Sequence, residues 1–81
     1  PLITSKELTA IEDILGMEQN LIEKYRNYAE STGDCKLKTQ FGEAASKHQN
    51  HFDALFALLK NQIKIKITEE IKHKTVTEKL L

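Results

Sequence analysis

Eighty-one residues, 40% hydrophobic and 30% charged, fit one small helix-rich domain near the lower limit at which a single core suffices, and they exclude a disordered chain. The formal net charge is zero, which argues against nucleic acid as the main partner, since phosphate binding rests on a net basic footprint. No apolar run approaches the roughly 20 residues of a bilayer span, and Glu7, Glu12 and Asp13 break any signal-peptide pattern, so no membrane partner is expected and a cytoplasmic setting is the default.

The neutral total hides an uneven distribution. Residues 1–34 carry three basic and seven acidic side chains, whereas residues 60–81 carry six basic and three acidic. Solvated helix faces account for such a pattern, and so does charge complementarity between the two ends, within a chain or between chains. The single cysteine, Cys35, excludes an internal disulfide. Pro1 in place of Met implies processing or an incomplete start, and one reading of the chain is a module of a longer protein.

Thr4 and Glu7 have the spacing of a capping box and predict a first helix over residues 5–30. Gly16 weakens that helix by about 1 kcal/mol relative to Ala and offers room for a close neighbour. Ser31, Thr32, Gly33 and Asp34 form the break, with Asp34 as N-cap of a second helix over residues 35–61. So short a connection forces an antiparallel helical hairpin.

Residues 62–74 are ambiguous, because Ile63, Ile65 and Ile67 alternate like a strand while Ile63, Ile67 and Ile71 repeat like a helix. A lone strand is marginal, so a helix that continues or bends from the second is favoured, with an extended conformation as the alternative. Thr75 and Glu78 repeat the capping-box spacing, and a further helix is expected to start there. The expected organisation is a hairpin over residues 1–61 and a C-terminal extension or third helix over residues 62–81.

Alternating steps of three and four pick out Leu8, Ile11, Leu15, Glu18, Ile22, Tyr25 and Ala29 as the inward seam of the first helix. The same steps give Leu37, Phe41, Ala44, His48, His51, Leu55 and Leu58 on the second. Both seams are interrupted by polar, metal-competent side chains, which are costly to bury unless paired. Ile14, Leu21 and Tyr28 flank the first seam, and Phe52, Phe56 and Leu59 flank the second. That surplus of apolar surface predicts a two-fold homodimer forming a four-helix bundle. The rival is a monomer whose C-terminal segment folds back as a third helix.

In an antiparallel hairpin turning at this break, level residues have numbers summing to about 65, which sets Glu18 beside His48 with His51 one turn further along. One chain then offers a carboxylate and two imidazoles at similar depth. They form either a polar layer that fixes alignment or a metal site, and imidazole with carboxylate suits zinc, iron, manganese, nickel or copper. Tyr25 and Tyr28 read as core aromatics, Met17 as filler and His73 as a surface residue. Cys35, at a helix N-terminus, reads as an inert thiol or a cross-linking one. No phosphate loop, Ser-His-Asp arrangement or paired acids are present, so no catalytic residue is assigned.

Glu18 followed by Tyr25, with the stretch from Phe41 through His48 and His51 to Phe52, resembles the ferritin-like carboxylate proteins, whose bundles aim a Glu and a Glu-x-x-His pair inward. His51 falls on the family's histidine, while His48 stands where that family has Glu. The pattern Lys-Glu-Leu-Thr-Ala-Ile-Glu-Asp-Ile-Leu, then Lys-Tyr-Arg-Asn-Tyr-Ala, a short turn, and Lys47-His48-Gln49-Asn50-His51-Phe52 is similar to the coat F family of spore coat proteins over roughly residues 5–59. That resemblance implies a ferritin-like all-α fold, a structural role in the spore coat of a spore-forming bacterium and other coat proteins as partners. The alternative is a metal-binding, ferritin-like protein holding iron, zinc or manganese on Glu18, His48 and His51.

Overall fold

The capping box forms as the spacing predicts. Thr4 Oγ1 accepts from the Glu7 backbone N–H at 3.1 Å, and Glu7 Oε1 accepts from the Thr4 N–H at 2.9 Å. The Thr4 backbone N–H, and after it the Thr4 hydroxyl, stabilise the ionised form and hold the Glu7 carboxyl below its ordinary value. They open α1, Ser5–Ser31. Its C-terminus is closed by the Thr32 N–H, which donates to Tyr28 O at 3.0 Å. Asp34 then caps α2 as expected, its Oδ1 accepting from the N–H groups of Lys36 and Leu37 at 2.8 and 3.0 Å. A computed structural model describes residues 2–80, with side chains through residue 74.

α2 is Cys35–Leu80, one helix of 46 residues, against 27 in α1. The favoured continuation of the second helix through residues 62–74 is what forms, while a fresh start at Thr75 does not occur. Residues 62–74 contain no glycine or proline, and nothing there removes a backbone donor or invites a left-handed turn. Each Ile keeps its helical hydrogen bond, and the capping-box spacing at Thr75 and Glu78 lies inside a continuing helix, where no cap is needed. The C-terminal segment runs straight on and does not fold back as a third helix.

The two helices pack antiparallel in the expected register. Glu18 meets His48, and the Ile3 N–H donates to Gln62 Oε1 at 3.1 Å at the far end of the hairpin. All seven predicted seam residues of α1 are buried or half-buried, with Leu15 and Ile22 innermost. On α2 the inward face is rotated from the expected one. Ala45, Phe52 and Leu59 turn inward, while Leu37, His51 and Leu58 are exposed. The sets 44/48/51/55/58 and 45/48/52/55/59 are equally periodic. Packing favours the second, because it places a phenylalanine rather than an imidazole against α1. Gly16 meets no other part of the described chain, so no close approach occurs there.

This hairpin is thin. Among the described residues only Leu15, Ile22 and Ala45 are buried hydrophobics, and the extents are 70 × 19 × 17 Å. The radius of gyration is 19.6 Å, where a compact chain of this length has about 12 Å. The accessible surface is 6581 Å², against about 5,000 Å² for a folded monomer of this mass. The excess, about 1,600 Å², is twice the roughly 800 Å² that one partner contributes to a standard interface.

Replacing Asp34 with Ala leaves two N–H groups of the first α2 turn without their acceptor. It is expected to lower stability by about 1 kcal/mol, whereas Asp34→Asn, which keeps an acceptor oxygen, is expected to stay close to the native value. Urea unfolding followed by helical circular dichroism checks this, as a lower midpoint at unchanged slope.

Candidate functional site

Glu18 is the middle residue of α1 (Ser5–Ser31), so its carboxylate sits halfway along the hairpin. Its side chain is 15% exposed, and both oxygens are turned toward α2. His48 Nδ1 lies 2.6 Å from Oε2, and His51 Nδ1 lies 3.5 Å from Oε1. The first distance is a short charge-assisted hydrogen bond. An ionised carboxylate only accepts, so in this bond His48 Nδ1–H donates to Glu18 Oε2. The second contact is longer and weaker.

Burial grades across the cluster. His48 is 23% exposed and His51 49%, so the trio opens from the helix interface to solvent on the His51 flank. Aromatic rings wall the other side. Tyr25 stacks on His48 with ring centroids 5.8 Å apart and planes 7° apart, and on Phe41 at 6.2 Å. His48 and His51 meet edge to face at 5.6 Å. The Phe41–Tyr25–His48 stack fixes the His48 ring plane, which is why its Nδ1 can meet the carboxylate in line.

One ligand atom from each of Glu18, His48 and His51 lies within 4.8 Å of the others. In a tetrahedral zinc site with bonds of 2.0–2.1 Å, neighbouring donors are about 3.3 Å apart. The Glu18–His51 spacing fits that figure. The Glu18–His48 contact is a hydrogen bond, so an ion held through Nδ1 would displace its proton and open the 2.6 Å distance by about 0.7 Å. The donor types are those a transition metal takes, and atoms spread within 4.8 Å would draw together to hold one. Glu18 is the one carboxylate in the group, so a bridged di-iron pair cannot be built from one copy.

All three residues singled out by the interrupted seams converge, although His51 does so from the exposed edge. The part played by Tyr25 against His48 is the feature that seam reading misses. A signal for it exists: Tyr25 lies seven residues after Glu18 and His48 seven after Phe41, so the ring stack repeats with the same two-turn period. Cys35 is exposed and lies at the turn end, away from the site. No helix is long and apolar enough to cross a membrane among the described residues. No protein-family profile, curated protein or solved structure matches the chain.

The Glu18–His48 bond specifies alignment more than it stabilises. A cycle of Glu18→Leu, His48→Leu and the double variant is expected to give a coupling of about 1 kcal/mol in denaturant unfolding. Glu18→Leu combined with His48→Leu is expected to keep or raise the melting temperature.

Proposed function

We propose that this chain is an assembly protein whose hairpin pairs with a second copy into a ferritin-like four-helix bundle, with the coat F resemblance pointing to the bacterial spore coat as its setting. The observation that carries the reading is the apolar surface on the His51 flank. Ile14, Leu21 and Tyr28 recur every seven residues on α1, and Leu37, Ala44, His51 and Leu58 every seven on α2. In the register of the hairpin these rows stand level in pairs, Ile14 with His51, Leu21 with Ala44 and Tyr28 with Leu37. Ile14 is 43% exposed, Tyr28 43%, Leu37 42% and Leu58 48%. A core of three buried residues leaves these rows as the surface that a stable fold has to cover.

In this reading the Glu18, His48 and His51 layer lies midway along the contact, where its hydrogen-bonding demand selects one register over slipped ones. Two Ile14→Ala changes per dimer are expected to cost about 2 kcal/mol, roughly thirtyfold in dissociation constant. Sedimentation or light scattering across a concentration series checks it. A wild-type mass of one chain at all concentrations would remove the assembly reading.

The clustering of three donor atoms favours a second function, binding of a transition metal such as zinc, iron or manganese on Glu18, His48 and His51. Reconstituted protein is expected to hold metal in a fixed ratio to chain, and His48→Ala with His51→Ala to abolish it. Elemental analysis after desalting checks this, along with a metal-dependent rise in melting temperature that the double variant lacks. Absence of bound metal after reconstitution with all three ions would exclude the second function.

A further inference from the structure

α1 begins near Gln62, where Ile3 is bonded, and α2 continues past it with only the N-terminal Leu2–Thr4 segment and the first turn of α1 beside Ile63 and Lys66. Eighteen further helical residues, 63 to 80, project for about 27 Å. Ile63, Ile67 and Ile71 form a row four residues apart and are 50%, 51% and 60% exposed. Lysines stand on both sides of the row, Lys60 and Lys64 three residues before Ile63 and Ile67, and Lys66 and Lys74 three after Ile63 and Ile71, with Glu70 three after Ile67. Residues three apart are neighbours on a helix surface, so the arm carries an apolar ridge with a basic border. A shallow groove along it is lined by Lys60, Asn61, Ile63, Lys64, Ile67 and Thr68.

The hairpin has a complementary surface on the flank opposite His51. There Ala29, Gly42, Ala45 and Ser46 leave a furrow between the helices, and a Cβ added at Gly42 would meet nothing within 4 Å. Arg26 and Glu30 line it from α1, and Glu12, Glu23 and Glu30, with Gln19 between, share one outer face of α1 on that flank. That row also spans about 27 Å. The lysines of the arm and this row of glutamates are therefore opposite in sign of charge. The straight course of α2 through residue 62 keeps each arm away from its own furrow.

We propose that the overhanging arm of α2 docks in the furrow of a second copy of this chain, its isoleucine ridge between the helices and its lysines against the Glu12–Glu23–Glu30 row. Arm against arm would oppose lysine to lysine and is disfavoured. The contact lies on the flank opposite the apolar rows of Ile14 and Leu58 and does not depend on their pairing. Two separate self-contacts on opposite flanks generate an extended array rather than a closed dimer.

The test is a charge exchange on the full chain. One variant carries Lys60→Glu, Lys64→Glu and Lys74→Glu, and the other carries Glu12→Lys, Glu23→Lys and Glu30→Lys. All six positions are exposed, so circular dichroism should confirm unchanged helix content. Sedimentation at low salt is expected to show each variant associating at least tenfold more weakly than the native chain, and their equimolar mixture regaining native association, because each arm then meets a row of opposite sign. Native association should also weaken with added salt. Unchanged association of either variant alone, or a mixture no larger than its components, overturns the proposal. So does a native chain that stays a monomer or dimer while its arm binds anionic lipid vesicles. Variants that stop at dimers while the native chain goes further leave the Ile14 pairing intact and support the arm; dimers throughout sink the arm alone.

Discussion

Three residues between the helices, Thr32, Gly33 and Asp34, set most of the geometry of this molecule. With α1 closed by the Thr32 N–H and α2 opened by the Asp34 carboxylate, the chain has no slack, and the helices return side by side. The antiparallel register is then a matter of counting. It brings Glu18 level with His48, Tyr25 level with Phe41, and Ile3 to Gln62. A longer connection would let the helices slip, and the Glu18 carboxylate would lose the imidazoles that satisfy it. The polar layer and the turn are thus two expressions of one constraint, one local and one across the pair.

A second constraint comes from size. Two helices touch along a single line, and a line of contact buries little: half-buried side chains dominate the interface and no large side chain is fully enclosed among the described residues. Folding has to offset a backbone entropy cost of about 1–2 kcal/mol per residue, and so narrow a seam offsets only part of it. The remaining apolar surface is organised rather than scattered, in seven-residue rows on one flank and in a four-residue row on the arm. Organisation of that kind is what self-association uses. The proposed contacts place that surface against further helices of the same chemistry.

The arm has a different physical origin from the hairpin. Within residues 35–62 helical structure is supported by tertiary packing against α1. Beyond Gln62 it rests on propagation from the packed part of α2 and on the absence of breakers. An unsupported helix of this length is marginal in isolation, and attachment to an already nucleated helix is what lets it persist, because propagation avoids the nucleation cost. Beyond Ile63, which lies beside the N-terminal segment, the isoleucines of the arm stand exposed.

The sequence by itself determined the helical class, both caps, the turn, the whole inward seam of α1, the register and the identity of the three site residues. These depend on local hydrogen bonding and on a 3.6-residue period, and both are legible in single positions such as Thr4, Asp34 and Glu18. Only the tertiary structure decided which of two equally periodic faces of α2 turns inward. That choice compares Phe52 with His51 against a neighbour the linear pattern does not contain, and it moved His51 and Leu58 to the surface. The tertiary structure likewise decided that residues 62–80 continue α2, where the isoleucine spacing allowed two periods at once. It also set the tilt of Tyr25 against His48, since a ring stack requires two helices at a fixed distance and not merely in register.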